Sequence, residues 1–398
     1  SRGLGDVYKR QEVSRSSNID NVITQFLSGV SIMTIDGFDE CLLIDCRTYP
    51  MRSVSEPWKD RVLRGSRDGF VETLVSNAAL LRRRIRDPRF SMELYGVGRR
   101  SRSDVAICYI SDSVDQSVLD RMRSLIQSID VDALTMNIES LAECMFTHKW
   151  INPFPKFKYS ERPDTATAAI LDGNIVIMVD NSPAVMIIPA SIFDIIEEAD
   201  DFNFSPMIGS YLRITRFFFS IVTWILTPLW LLLVNNPEWV PEFMKFILIT
   251  DDITVPVLLQ LLILELAVDG LKLAAVNTPT MLSTPLSIVA GIVVGEYAVS
   301  SGWFNPESLL YMAVVTVGTY GQTNFEMGYA FKFLRVLTLI LTQIFNLGGF
   351  IAGVVISVLM IAFNRTITGK SYIYPLIPWD GKMLKRKVFR VRLPHSYK

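Results

Sequence analysis

Four long stretches without one Asp, Glu, Lys or Arg follow each other in the second half of this chain: Phe217 to Pro237, Leu273 to Gly295, Ser308 to Phe325 and Val336 to Asn364. A helix rises about 1.5 Å per residue, so roughly 20 apolar residues cross the ~30 Å hydrocarbon layer of a bilayer. The core of a soluble helical protein keeps polar stripes on its outward faces. The run FFFSIVTWILTPLWLLLV (Phe217 to Val234) has none. The pattern predicts a helical integral membrane domain over 211–365.

Charge around these runs sets an orientation. Arg213 and Arg216 precede the first, and the connector after it is acidic, with Glu238, Glu242, Asp251 and Asp252 against Lys245. From Lys382 onward the 366–398 tail holds Lys385, Arg386, Lys387, Arg390, Arg392 and Lys398 with no acid. Positive segments stay cytoplasmic, so both termini are expected in the cytosol and the crossings should be even in number. The stretch Ile253 to Val276 is apolar but carries Glu265, Asp269 and Lys272. Each such charge costs on the order of 3 kcal/mol at mid-bilayer. The expectation is therefore four spans plus an embedded amphipathic helix packed against the bundle, lying in the interface or re-entering, with the three charges on one face and Lys272 neutralising Asp269 or falling near it. Six crossings would need Val336 to Asn364 to fold into a hairpin at Asn346 to Gly349, with arms too short to cross singly.

The first half reads as an α/β region. Charged residues are 20% of the whole and mean hydropathy is +0.31, an average over a charged half and an apolar one. Ser1 to Gln11 has no apolar periodicity and reads as a non-native leader, so 12–149 is taken as the first soluble subdomain, truncated at its start. SIMTID and CLLID (Ser31 to Asp36, Cys41 to Asp45) alternate as a hairpin. A helix after Gly69 ends at Arg82, Arg83, Arg84 and Arg86, where cations complement the dipole. That cluster reads as a solvated helix end, with anionic lipid or nucleic acid as the functional alternative. VAICYI (Val105 to Ile110) reads as a buried strand and Ser113 to Ile129 as a helix. All four cysteines precede the membrane block, and Cys41 and Cys46 lack a second pair at zinc spacing, so reduced thiols are expected and no metal.

The most distinctive soluble passage is NPFPKFKYSERPD (Asn152 to Asp164), followed by LDGNIVIMVDNSPAVMIIPASIFD (Leu171 to Asp194). Together they suggest a second subdomain over 150–210, with Asn152, Pro153, Phe154, Pro155, Glu161, Arg162, Pro163 and Asp164 as its signature. These motifs and the membrane block resemble the spore germination receptor A-subunit family, the GerA family, from about Asn21 to the end. GSRDGFVETL (Gly65 to Leu74), RRRIRDPR (Arg82 to Arg89), QLLILELAVDGLKLAAVNTPTMLSTP (Gln260 to Pro285) and YPLIPWDGKMLKR (Tyr374 to Arg386) are similar to its sporulation-associated branch. The resemblance implies a non-enzymatic protein of the spore inner membrane, oligomerising into an ion channel with transporter-like B-type subunits and other germination proteins as partners. A non-conducting scaffold or germinant-sensing subunit is the alternative.

Candidate pore residues come from SIVAGIVVGEYAVSSG (Ser287 to Gly302). Ala290, Gly291 and Gly295 are small enough for close helix approach, Val294 suits a hydrophobic gate, and Glu296 is the sole charge, a carboxylate that in a ring would favour cations. Thr316, Thr319, Tyr320, Gln322, Thr323 and Asn324 make one end of the third run polar, and Asn277, Thr278 and Pro279 interrupt the backbone near the bilayer. Catalysis finds no support: there is no phosphate-binding loop, and the two histidines, His148 and His395, lie in a connector and the tail. No cofactor, metal or nucleic acid is expected.

Overall fold

The computed structural model describes residues 12–391, apart from 28, 46–51, 58, 147–151, 252–253, 279–287, 289–290 and 323. The leader assigned to 1–11, both histidines, Cys46, Pro279, Ala290, Thr323 and the last basic residues lie outside the described residues. The chain separates into two units, one of residues 12–61, 66–146 and 159–188, the other of 62–65, 152–158 and 189–391. The stretch 150–210 thus contributes to both units, and its NPFP and ERPD halves belong to different ones.

In the first unit, β1 (Glu12–Ser16), α1 (Ile19–Leu27), β2 (Ser31–Met33) and β3 (Cys41–Asp45) form a three-stranded sheet of order β1-β3-β2 beside one helix. The expected hairpin is present, β2 pairing antiparallel with β3. Then come α2 (Leu74–Arg84), β4 (Phe90–Val97), β5 (Ser103–Ile110), α3 (Gln116–Gln127), α4 (Ile138–Met145), β6 (Lys158–Ser160), α5 (Pro163–Leu171), β7 (Ile175–Val179) and β8 (Val185–Ile188). Their five-stranded sheet has the order β4-β5-β7-β8-β6. The central strands β7 and β8 are buried at every residue, as apolar runs covered on both faces must be. Phe70, Leu81, Ile85, Ile170, Val176 and Met178 share one core with Phe90 and Ile187. Removing each large side chain from water stabilises by about 1.5 to 3 kcal/mol.

Polar groups in this unit are satisfied locally. Arg162 is 1% exposed and donates to Asp164, at 2.5 and 3.0 Å, and to the carbonyls of Ser66 and Asp60. Pro163 opens α5, where its missing N–H is no loss. The ERPD residues therefore tie chain segments together within one unit. On β4, Glu93 accepts from Arg123 at 2.5 and 3.0 Å and from the hydroxyls of Tyr95 and Tyr109. Its carboxyl is held down to about 2, chiefly by the Arg123 hydrogen bonds. A depressed folded pKa stabilises fully above the unfolded value near 4.5 and loses that contribution as pH falls towards 2. Arg123→Ala is expected to lower stability by about 1–2 kcal/mol at neutral pH and to flatten the acid dependence between those two values. Thermal unfolding at pH 7 and pH 3 measures both; equal acid sensitivity in variant and parent excludes this pair as its source.

The second unit begins with α6 (Ile192–Ile196), closed by a capping box between Ser191 and Asp194, and α7 (Asp200–Asn203). Four longer helices follow: α8 (Pro206–Asn235), α9 (Val257–Asn277), α10 (Pro306–Tyr320) and α11 (Phe325–Ala362), then α12 (Gly381–Val388). A π-helical turn, Gly291–Tyr297, leads into Ala298–Ser300 between α9 and α10. Among the described residues two helices, α8 and α11, are long and apolar enough to cross a membrane by length and composition. The most apolar window of α11 is only 17% buried.

Side-chain packing fixes the helix directions. Trp230 and Leu231 of α8 meet Val257 and Leu261 of α9, while Glu265, further along α9, is joined through Arg335 to the Thr223 carbonyl, earlier on α8. So α9 runs antiparallel to α8 within the bundle. Helix α9 is packed against the bundle, as expected, and buried partners on α11 absorb its charges. Helix α10 is likewise antiparallel to α8, since Tyr311 stacks on Trp230 at 4.7 Å and Gly318 abuts Thr223 and Phe219.

The run Val336 to Asn364 is not one straight span. Asn346 has φ 51° and ψ −130° inside α11, and a Cβ added to Gly353 would lie 2.8 Å from the Thr338 side chain. Residues 15 apart on a straight helix are about 22 Å apart. Helix α11 therefore doubles back as a hairpin with arms 325–345 and 347–362. The first arm is longer than the uncharged run because the helix begins at Phe325 and takes in Lys332 and Arg335, while the second, 347–362, falls short of the roughly 20 residues of a full span, as expected. Asn346 and Asn236 exchange side-chain hydrogen bonds at 2.6 and 2.8 Å, fixing the bend beside the end of α8.

Candidate functional site

Helical spacing puts Glu265, Asp269 and Lys272 on one face of α9, as expected, and Lys332 and Arg335 one turn apart on α11. Arg335 donates through Nε to Glu265 at 2.5 Å and through a terminal nitrogen to the Thr223 carbonyl. Lys332 bonds Asp269 and the Glu265 carbonyl, and its Nζ lies 3.5 Å from the Glu265 carboxylate. Glu265 and Arg335 are 4% and 2% exposed, so neither charge can be kept by water. Each is viable only because of the other, and loss of one partner from such a pair is far more damaging than loss of both.

Of the two arrangements expected for Lys272, the structure has the second: it falls near Asp269 without being its partner. Asp269 is neutralised by Lys332 of another helix, whereas Lys272 lies over the rings of Tyr320 and Tyr329, 5.2 and 5.5 Å from their centroids. A ring face attracts an ammonium, which leaves Asp269 to the closer lysine. A cavity of about 20 Å³ opens between α9, α10 and α11, lined by all five charged residues together with Thr316, Thr319 and Tyr320. The polar end of the third run thus borders this cavity. Lys332 and Arg335 were missed in the sequence because they stand just before an uncharged run, where basic residues ordinarily mark a membrane edge. The available signal was complementarity: two acids one turn apart in one apolar helix, two bases one turn apart in another.

A second charged cluster sits where α8 begins. Arg213, 2% exposed, bonds Glu197 at 2.8 Å and Asp201 at 3.3 Å, and Arg216 pairs with Asp201 and Glu198. Glu197 is enclosed between Arg213 and Lys387. Arg213 also donates to the carbonyls of Arg386 and Lys387 at 3.0 Å, so α12 is docked and part of the basic tail is built into the unit. Burial works against the Asp194 carboxylate, yet Lys387 and Ser191 hold its pKa below the usual range. Burial works against the Lys387 charge too, and Asp194 and Glu197 raise it. Next to this cluster Phe154 of the NPFP motif packs edge-on against Phe331 and Tyr372, and Lys156 donates to the Arg365 carbonyl.

The proposed pore residues are not brought to the charged cavity. Gly291, Gly295 and Glu296 lie on the π-helical turn and are exposed. A Cβ on either glycine would meet nothing within 4 Å. Val294 belongs to the same turn. Among the described residues no group of three or more His, Cys, Asp and Glu side chains could hold a metal ion.

A mixed α/β unit joined to a helical bundle with internal ion pairs defines a two-part protein whose chemistry is electrostatic. The family model described as Bacillus/Clostridium GerA spore germination protein matches residues 3–398, and the chain belongs to that family. It is 37% identical to Stage V sporulation protein AF of Bacillus subtilis over 96% of this chain and 77% of that one. It is 27% identical to Spore germination protein GerLA of Bacillus cereus, over 97% and 78%, and 26% identical to the uncharacterized membrane protein YfkQ of Bacillus subtilis, over 94% and 73%. Among solved structures, the N-terminal domain of the A subunit of the Bacillus megaterium spore germinant receptor GerK3 is similar at 26% identity, covering 46% of this chain and 64% of that one with a TM-score of 0.25.

Proposed function

We propose that this chain is an integral membrane subunit of a spore germination complex, without enzymatic activity, and that copies of it assemble into a ring that conducts monovalent cations. One observation carries the reading: α11 is strongly apolar yet mostly uncovered within the chain, a surface suited to lipid and to neighbouring copies. Family membership supports the germination role. In this reading the crossings are even in number, with the uncharged runs Phe217 to Pro237, Leu273 to Gly295, Ser308 to Phe325 and Val336 to Asn364 as their candidates. Both termini then lie on the cytosolic side of the spore inner membrane, in keeping with the charge asymmetry of the flanks. Transporter-like B-type subunits are the proposed partners.

The pore in this proposal is lined by the turn that carries Gly291, Val294, Gly295 and Glu296, which Ala290 precedes in the sequence. Its glycines leave space open towards a neighbour, and its single carboxylate would face the path. Purified protein reconstituted in liposomes with its partner subunit is expected to pass potassium or sodium. A well-folded oligomer that stays electrically silent leaves the scaffold or sensor reading standing instead. Glu296→Gln is expected to reduce the preference for cations over anions several-fold, measured as a reversal-potential shift; unchanged selectivity removes Glu296 from the path.

A further inference from the structure

The cavity between α9, α10 and α11 carries an unbalanced charge. Among the described residues its lining holds two carboxylates, Glu265 and Asp269, and three cations, Lys272, Lys332 and Arg335. With every group ionised the sum is one positive charge. The two acids are already engaged, Glu265 with Arg335 and Lys332, Asp269 with Lys332. Lys272 meets two tyrosine rings in place of a carboxylate. A ring face contributes about 0.5–2 kcal/mol and leaves the charge whole. An uncompensated charge in a poorly solvated site is costly, and a mobile counter-ion is the simplest remedy.

Size and charge narrow the occupant. About 20 Å³ of space exceeds the ~10–15 Å³ that a water-sized species needs, and is too small for phosphate or a carboxylic acid. We propose that this cavity is a binding site for one small monovalent anion of chloride size, held by the ammonium groups of Lys272 and Lys332. The ion would complete the charge balance of the network that joins α9 to α11. The site stands independently of whether an assembled ring conducts.

The test uses the full-length protein in detergent at constant ionic strength, comparing sodium chloride, sodium bromide and sodium gluconate, whose anion is too large to enter. Chloride and bromide are expected to raise the melting midpoint by about 3 °C at tenfold excess over the dissociation constant. Lys272→Gln leaves a neutral lining and is expected to abolish the difference, whereas Lys272→Arg keeps it. Equal midpoints of the parent in chloride and gluconate, or an undiminished chloride effect in Lys272→Gln, overturn the proposal. Should Lys272→Gln fail to fold, bromide-soaked crystals of the parent decide the matter. An anomalous peak in contact with Lys272 Nζ supports the site, and an empty cavity at a bromide concentration that fills other positions refutes it.

Discussion

Arg335→Met is expected to lower stability by about 3–5 kcal/mol, enough to prevent most of the protein from accumulating in a detergent-stable form. The variant strands Glu265, 4% exposed, and removes the donor that holds the Thr223 carbonyl. Lys332 Nζ, 3.5 Å from the Glu265 carboxylate, is already committed to Asp269 and offers weak compensation. The double variant Glu265→Leu with Arg335→Met removes both charges, and such exchanges of a buried pair for apolar groups are commonly neutral or stabilising. Recovery in the double variant is therefore the informative result. Size-exclusion profiles and melting midpoints of parent, single and double variants supply it. A single variant as stable as the parent would mean that the Glu265–Arg335 pair contributes nothing to holding the bundle together.

The same ion pairs show where sequence reasoning stopped. That a charged α/β half precedes an apolar helical half was plain from the uncharged runs, and the β2–β3 hairpin and the strand at Val105 to Ile110 were legible from alternation and burial patterns. The face shared by Glu265, Asp269 and Lys272 followed from helical spacing alone. What did not follow was the identity of their partners, because Lys332 and Arg335 are some 60 to 70 residues away and periodicity within one helix carries no information about another. Judged as isolated charges, the three residues argued against a lipid-facing span; judged as halves of ion pairs, they show what holds α9 to the bundle. The enclosure of Glu197 was hidden for the same reason, its partners Arg213 and Lys387 being distant in the chain. The division between units was also hidden, since NPFPKFKYSERPD looks continuous as a motif and yet supplies Phe154 to one core and Arg162 to the other unit.

Gly349→Ala and Gly348→Ala form a matched pair whose outcomes are expected to diverge sharply. A Cβ on Gly349 would lie 1.7 Å from the Leu341 carbonyl oxygen and 2.4 Å from its carbon. Both are backbone atoms, which cannot swing aside as a flexible side chain would. Relief requires the arms of α11 to separate, loosening Gly353 from Thr338 and pulling Asn346 from Asn236, at an expected cost of about 3 kcal/mol or more. Gly348 has open space where its Cβ would stand, so alanine there should be neutral or stabilise by up to about 1 kcal/mol through helix propensity. Melting midpoints in detergent provide the comparison, with proteolysis at the bend as a second readout. In a straight helix of 38 residues, some 57 Å long and nearly twice the thickness of a hydrocarbon layer, neither glycine would face residue 341 and the two substitutions would behave alike. Equal behaviour would therefore remove the hairpin.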